Sequence, residues 1–418
     1  MRESEHNGAS RRLILSGGTV VTRDRAIDGG SVVIEGERIV AVSSATYPVA
    51  RSAEETVLDV TGRLVLPGII CLHNDGHERA INPRPNANFP RDFALLTYDR
   101  ALASAGITTQ FHAVSFLTLA AKDRTVEGAV QMSHDIHAFA ASGYGSLDHY
   151  VLFRCDVRQP ASLESILACI EDAPVRIVSM NDHVPGQGQY RNIGKYLEQV
   201  KPYLPASMAT DDTGMAAWLA ERERFKNDTE QTVEWMYSRL AAEASERQFT
   251  LISHDDDSAE KVEVMYGLGC RMAEFPVAIE AAVRARELGM HVSVGAPNIV
   301  RGGSLTGNAS GIELASRGLV DILIADYHAP SMLQAAIRLH ETGVVTLPDA
   351  VAMISANAAD AAALRDRGVL APELRADIIV VDRVGDLPVV TQSIVAGATR
   401  FHMSTQGHRT VGPRPVYI

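Results

Sequence analysis

The chain has 418 residues, a length that excludes a single small domain and suits one large barrel with a satellite sheet. With 46% hydrophobic and 22% charged residues it can build a core, and nothing in its composition marks disorder, collagen or coiled coil. The formal charge of −12 argues against nucleic acid and membrane as partners and requires a local basic site for any anionic substrate.

Cys71, Cys155, Cys169 and Cys270 are far apart with no C-x-x-C pair, the pattern of reduced structural thiols. The polar start MRESEHNGASRR lacks the apolar region of a signal peptide, and no run of about 18 apolar residues follows. The expected location is the cytoplasm.

From residue 13, short strands alternate with glycine turns: LILSGGTVV, SVVIEGERIVAV and TVLDVTGRLVLPG. The same style returns at 376–382 and 393–401, so the two ends are expected to pair into one small composite β-sandwich, 12–66 plus 367–404. Between them, strand-like runs at 64–72, 107–114, 150–155, 175–180, 249–253, 271–277, 291–296 and 320–325 alternate with helical segments. Eight such alternations predict an α/β fold, a (β/α)8 TIM-like barrel over 67–366. The stretch 184–248 is too long for one helix and is expected to form a helical lid over the site.

What ends these strands carries the chemistry. LVLPGIICL runs into His73-Asn74-Asp75, YVLFRC into Asp156, VRIVSM into Asn181-Asp182-His183, FTLIS into His254-Asp255-Asp256, and DILIA into Asp326-Tyr327-His328. In a barrel the C-terminal strand ends converge on one mouth, so imidazoles and carboxylates gathered there predict a metal site. In His73-x-Asp75 the strand period of two points both side chains inward and Asn74 away. Mixed imidazole and carboxylate donors suit Zn²⁺, or Mn²⁺ with more oxygen ligands.

The N-terminal sheet, LVLPGIICLHND, AGITT at 105–109, the carboxylate after strand eight and the closing SANAADAAALRDRGVLAPELRADIIVVD resemble the amidohydrolase superfamily. More narrowly, six segments resemble the α-D-ribose 1-methylphosphonate 5-triphosphate diphosphatases of phosphonate metabolism: NPRP (82–85), MNDHVPGQ (180–187), SHDD (253–256), AEFPVAIEAA (273–282), GAPNIVRGGS with Gly307-Asn308, and DILIADYHAPSML. The likeness runs over about residues 12–401.

By position, the resemblance implies His73, Asp75, His183, His254 and Asp326 as ligands of one or two divalent ions, with Asp156 as the bridging group. It implies a metal-dependent hydrolase releasing pyrophosphate from a ribosyl 5-triphosphate, with Asp326 accepting the proton of the attacking water. Asp156 stands where the family has Glu, Leu305 where it has His, and Gly76-His77-Glu78 where Asn-Leu-acidic is expected. The shorter arm of Asp156 points toward a single ion. The alternative activity is C–N hydrolysis of a deacetylase or cyclic-amidase kind, and a third reading is a non-catalytic barrel that serves as an assembly module.

The segment Asn298-Ile299-Val300-Arg301-Gly302-Gly303-Ser304 is expected to bind phosphate through free backbone N–H groups and the Arg301 guanidinium; it is not a Walker loop. Arg84, held between two prolines, is a second anion-binding candidate. His112, His149, His291 and His340 lack ligand spacing and are read as structural. The expected partner is a small phosphorylated molecule, with a second copy of the chain as the other candidate.

Overall fold

The computed structural model describes residues 12–47, 49–50, 52, 54–84, 87–119, 124–201, 212–303 and 308–404. Five strands open the chain: β1 (Arg12–Val21), β2 (Ala26–Glu35), β3 (Arg38–Ser43), β4 (Glu55–Asp59) and β5 (Leu64–Pro67). Eight parallel strands follow: β6 (Ile69–Asn74), β7 (Ile107–Phe116), β8 (Asp148–Asp156), β9 (Ile177–Asn181), β10 (Thr250–His254), β11 (Met272–Glu274), β12 (His291–Gly295) and β13 (Ile322–Ile324). The last three are β14 (Ile378–Val384), β15 (Leu387–Val395) and β16 (Ala398–His402).

The chain ends form one sheet in the order β16-β15-β14-β5-β1-β2-β3, with β4 beside β1. The joint between the two ends is the antiparallel pairing of β14 with β5, Ile378 opposite Pro67 and Val381 opposite Leu64. Leu15, Val32, Ile34, Ile39, Val65, Ile378 and Ile394 supply a core separate from that of the barrel. At Gly397, with φ of +75°, an added Cβ would lie 1.8 Å from the Gly36 carbonyl oxygen, so only glycine lets these two turns meet.

The run read as a single strand over 64–72 is divided. Gly68 separates β5 from β6, and a Cβ there would fall 2.3 Å from the Thr108 hydroxyl on β7. A glycine forced by close packing is where the chain leaves one sheet for the other.

The eight parallel strands pair in chain order from β6 to β13. The sheet closes just beyond the last strand, where the Asp326 N–H donates to the His73 carbonyl (3.0 Å) and the Asp75 N–H to the Asp326 carbonyl (2.8 Å). Alternate residues fill the interior: Ile70 and Leu72, Phe111 and Ala113, Leu152, Ile177, Ile252, Met272, Ile322 and Ile324.

Within the 184–248 stretch, the helix Glu230–Arg247 buries Val233, Met236 and Leu240, a three-to-four-residue spacing that packs it on the barrel's outer wall and not over the mouth. The earlier part reaches the mouth through Gln189, Tyr190 and Val200. All four cysteines are buried and free. Among the described residues, no helix is long and apolar enough to cross a membrane.

Candidate active site

The inward parity of each barrel strand, continued past its apolar layer, delivers the site. On β10 it runs from Ile252 to His254, on β11 from Met272 to Glu274, on β8 from Leu152 to Arg154, and past β13 from Ile324 to Asp326. On β9, Ile177 leads to Ser179, Asn181 and, beyond the strand, His183.

The first strand breaks this rule. Leu72 belongs to the interior layer, so strict alternation would turn His73 outward, yet His73 lines the cleft. A register shift between Cys71 and Asn74 resolves the conflict, placing consecutive residues on one side. Asn74 then points outward, where its amide donates to Gln110 Oε1 (3.3 Å). The unexpected Gly76 is explained by packing: a Cβ would lie 2.1 Å from the Tyr98 hydroxyl oxygen.

The floor of the mouth is a carboxylate between two imidazoles. Glu274, fully buried, accepts from His73 Nδ1 through Oε1 (2.8 Å) and from His254 Nδ1 through Oε2 (2.7 Å), and Ser179 donates to Oε2 (3.3 Å). Burial acts to raise the Glu274 pKa, but the two imidazoles and their hydrogen bonds hold it well below the usual carboxylate range. The His254 imidazole is pushed below its ordinary value by burial. With Nδ1–H donated to Glu274, each ring keeps its Nε2 lone pair for a ligand, the arrangement that fixes tautomers at metal sites. The rings are nearly parallel with centroids 5.9 Å apart, and Phe275 stands edge-on to both at 5.4 and 5.5 Å.

A second group adjoins it. His183 Nε2 and Asp255 Oδ2 approach to 3.4 Å, and His254 Nε2 lies 3.5 Å from the same oxygen. His183 Nε2 and Asp255 Oδ2 are both buried and neither has a hydrogen-bond partner. Two orphaned electron-pair donors facing each other are what a divalent cation satisfies, so the residues present fit a metal. Burial would raise the Asp255 pKa, but His254 and His183 outweigh it and hold the group below its ordinary value. Asp326 differs: burial pushes its carboxyl up to about 6, with His73 only partly offsetting it.

Asp255 and Phe275 follow their strands directly and Asp326 lies two residues past β13, and their φ angles are 56°, 55° and 57°. For a phenylalanine this left-handed conformation is strained, and strain concentrated at one mouth marks a functional site.

The cleft above the floor encloses about 720 Å³. Arg79, Arg124, Arg154 and Arg301 line it together with Asn298, Tyr190 and Tyr327. Arg124 pairs with Glu78 (2.5 Å), and the Arg79 guanidinium lies over the Tyr327 ring at 5.4 Å.

Of the six residues expected to hold metal, the structure brings His73, Asp75, His183, His254 and Asp326 to this cleft. Asp156 is in neither cluster and does not line the cleft, but its carboxylate lies within electrostatic reach of His183. Its carboxylate accepts from the Arg158 N–H (2.9 Å) and the Gln159 amide (3.4 Å), and burial raises its pKa. Arg84 is exposed and does not line the cleft.

The expected backbone phosphate loop is corrected. Ala296–Arg301 is a short helix, and the N–H groups of Gly302 and Gly303 both donate to the Asn298 carbonyl (3.1 and 3.0 Å), so they are spent on closing it. Asn298 and Arg301 remain in the cleft through their side chains; Ser304 and Leu305 lie outside the described residues.

Glu274, Arg154, Arg79 and Arg124 are not among the site residues expected from sequence, and Asp255 is expected only as part of the strand-end cluster after β10. Glu274 and Arg154 were findable, because each sits two residues beyond an inward apolar position. The histidines read as structural are internally bonded: His112 Nε2 meets His149 Nδ1 (2.9 Å), and His149 Nε2 meets Asp99 (3.0 Å). His291 lies 3.5 Å from Asp360 and His340 3.3 Å from the Val345 carbonyl.

No family model matches the chain. It is 33% identical over 378 residues to the α-D-ribose 1-methylphosphonate 5-triphosphate diphosphatase of Escherichia coli, covering 89% of this chain and 95% of that protein. Solved structures of similar fold include dihydropyrimidinase from Brevibacillus agri (15% identity, TM-score 0.57, 94% of this chain and 95% of that one). D-hydantoinase from Bacillus sp. AR9 (15%, 0.59, 93% and 95%) and beta-aspartyl dipeptidase from Fervidobacterium islandicum (15%, 0.58, 94% and 97%) are others. At such identities these structures establish the architecture, that of amidohydrolases, and the sequence relative establishes the family. The chain belongs to the α-D-ribose 1-methylphosphonate 5-triphosphate diphosphatase family, hydrolases built on the amidohydrolase barrel.

Proposed function

We propose that the chain is a divalent-metal-dependent diphosphatase that cleaves a ribosyl 5-triphosphate, α-D-ribose 1-methylphosphonate 5-triphosphate or a related compound, to the 5-phosphate and pyrophosphate. The observation that carries this reading is the make-up of the cleft: four guanidinium groups stand over an imidazole and carboxylate floor in a chain of net charge −12. These four guanidinium groups, set against the carboxylates of Asp75, Asp255 and Asp326, bring the cleft near charge balance in an acidic chain, which lessens the repulsion of a polyphosphate and has no use for a neutral amide.

His73, His183 and His254, with Asp75, Asp255 and Asp326, would hold the metal, Zn²⁺ or Mn²⁺, as one ion or two. Asp156, which accepts from its own loop and lies within electrostatic reach of His183, would be the group that bridges to a second ion. A divalent ion in this site would make a water nucleophilic near neutral pH and draw charge from a phosphoryl oxygen. Asp326, raised by burial toward neutrality, accepts the proton released as water oxygen bonds to phosphorus and the α–β bridging P–O bond breaks. Attack at the α phosphorus leaves the 5-phosphate on the ribose and expels pyrophosphate, which keeps the bond's electron pair. Asn298 and Arg301 hold the substrate at the rim, and Phe275 backs the two histidines. Four unpaired buried thiols support a reducing compartment, and we place the enzyme in the cytoplasm.

The test is turnover of a panel of ribosyl and nucleoside triphosphates beside dihydropyrimidine and acyl-amide substrates, with Zn²⁺ or Mn²⁺ supplied. Pyrophosphate release from the ribosyl triphosphates is expected. Hydrolysis of amides alone would replace this reading with C–N chemistry.

A further inference from the structure

We propose that Arg154 is a catalytic residue that grips the non-bridging oxygens of the phosphoryl group under attack; this rests on the triphosphate reading above. Arg154 projects inward from β8, directly above Leu152 of the interior layer. One terminal nitrogen lies 3.5 Å from His254 Nε2, the atom that also faces Asp255. Its Nε is shielded from solvent and has no hydrogen-bond partner, and no carboxylate lies within 4 Å of the guanidinium among the described residues.

The buried arginines of the barrel are treated differently from this half-buried one. Arg158, four residues on, is bonded to both oxygens of Asp182, the Lys226 carbonyl and the Thr229 hydroxyl. Arg367 is held by Asp148 and Asp366. A buried donor left bare costs free energy, and at the floor of a cleft it signals a ligand that completes it. Among the four arginines lining the cleft, Arg124 already has Glu78, Arg79 lies on a ring, and Arg301 is exposed at the end of its helix. Arg154 is the one beside the floor histidines.

Its chemistry suits the phosphoryl group. A guanidinium offers two parallel N–H groups to two oxygens and keeps its proton throughout, so it can neutralise charge that builds on the equatorial oxygens without acting as acid or base. Proton transfer stays with Asp326, and Arg154 meets charge that is greatest in the transition state. The effect should therefore appear in kcat more than in KM.

Arg154→Ala and Arg154→Lys are to be compared with wild type for kcat, KM, metal per chain by elemental analysis, and pyrophosphate affinity by calorimetry. For Arg154→Ala we expect unchanged metal content, pyrophosphate bound at least about 10-fold more weakly, and kcat lower by about 10²–10³-fold, the usual loss for a transition-state donor. Arg154→Lys should recover part of this. Added guanidinium should partly rescue the alanine variant, which a merely structural role would not allow. Wild-type kcat and pyrophosphate affinity in Arg154→Ala would overturn the proposal, as would a kcat loss that only tracks lost metal. Should the alanine variant not fold, Arg154→Lys decides alone: full activity with full pyrophosphate affinity overturns the bidentate role. A wild-type protein that hydrolyses no ribosyl triphosphate would instead defeat the functional reading itself.

Discussion

At the start of β8, Asp148 is clasped by Arg367 and Arg375 from the segment that leads back to the end sheet, and Asp377 completes the cluster. Six residues along the same strand, Arg154 has a bare Nε and no carboxylate partner. Both places are largely shielded and both are charged. At the lower end every charge has an opposite charge in place, so the free energy of ordering is returned as stability. At the mouth the cation is unpaired and His183 and Asp255 are left unsatisfied, so the site stays less stable than it could be and keeps its binding capacity for a ligand. The two ends of one strand thus separate holding the barrel together from doing chemistry.

Substitutions at the mouth should change activity and spare folding, and those at the base should do the reverse. The largest effect is expected for His254→Ala, which removes a group shared by both ligand clusters. Turnover should fall at least about 10³-fold, the scale of losing a metal-activated water, with the thermal midpoint little altered. A folded variant with normal kcat would remove His254 from the site.

Next comes Asp148→Asn at the base. Leaving Arg367 and Arg375 without their shared carboxylate should cost about 2–4 kcal/mol in urea unfolding, discounted because Asp148 is partly exposed, with kcat unchanged. Burial acts to raise the Asp148 pKa, but hydrogen bonds from Arg375 and Arg367 lower it overall. Its contribution is therefore full above the unfolded carboxylate value of about 4 and is lost as pH falls through the lower folded value. The gap between wild type and variant should close on acidification; a pH-independent gap would refute the assignment.

Glu274→Gln keeps the shape but loses the charge that orders His73 and His254. Metal affinity, measured by chelator competition, should drop about 10–100-fold, as for other partners of metal-bound histidine. Unchanged affinity would show that Glu274 only packs. The smallest effect is expected at the rim: Arg301→Ala should raise KM for a ribosyl triphosphate by about 3–30-fold with kcat nearly constant. A larger loss in kcat than that of Arg154→Ala would reverse the two roles.

Much of the architecture is legible in local pattern. Each of the eight barrel strands overlaps an expected apolar run, and five of those runs end in a polar cluster, because a strand buried on both faces must be apolar until it reaches the mouth. His254 and Asp326 follow from the same parity. The period of two that joins His73 to Asp75 predicts a shared inward face, and His73 reaches that face only through the register shift after Cys71. The free N–H groups expected at Gly302 and Gly303 failed for a related reason: glycine marks a backbone able to adopt φ of +89°, and here that conformation closes a helix.

Residue order by itself determined the alternation of elements, the pairing of the two chain ends and the strand ends at which chemistry collects, since these depend on hydrophobic period and turn chemistry within a few residues. The tertiary structure alone decided which polar groups are partnered. Glu274 joins His73 to His254 across 201 and 20 positions, and Asp148 meets Arg367 across 219. Arg154 differs from Arg158 only in what the fold brings within reach. Whether a buried charge stabilises the protein or waits for a ligand depends on neighbours that are distant in the chain, and no local pattern of residues encodes them.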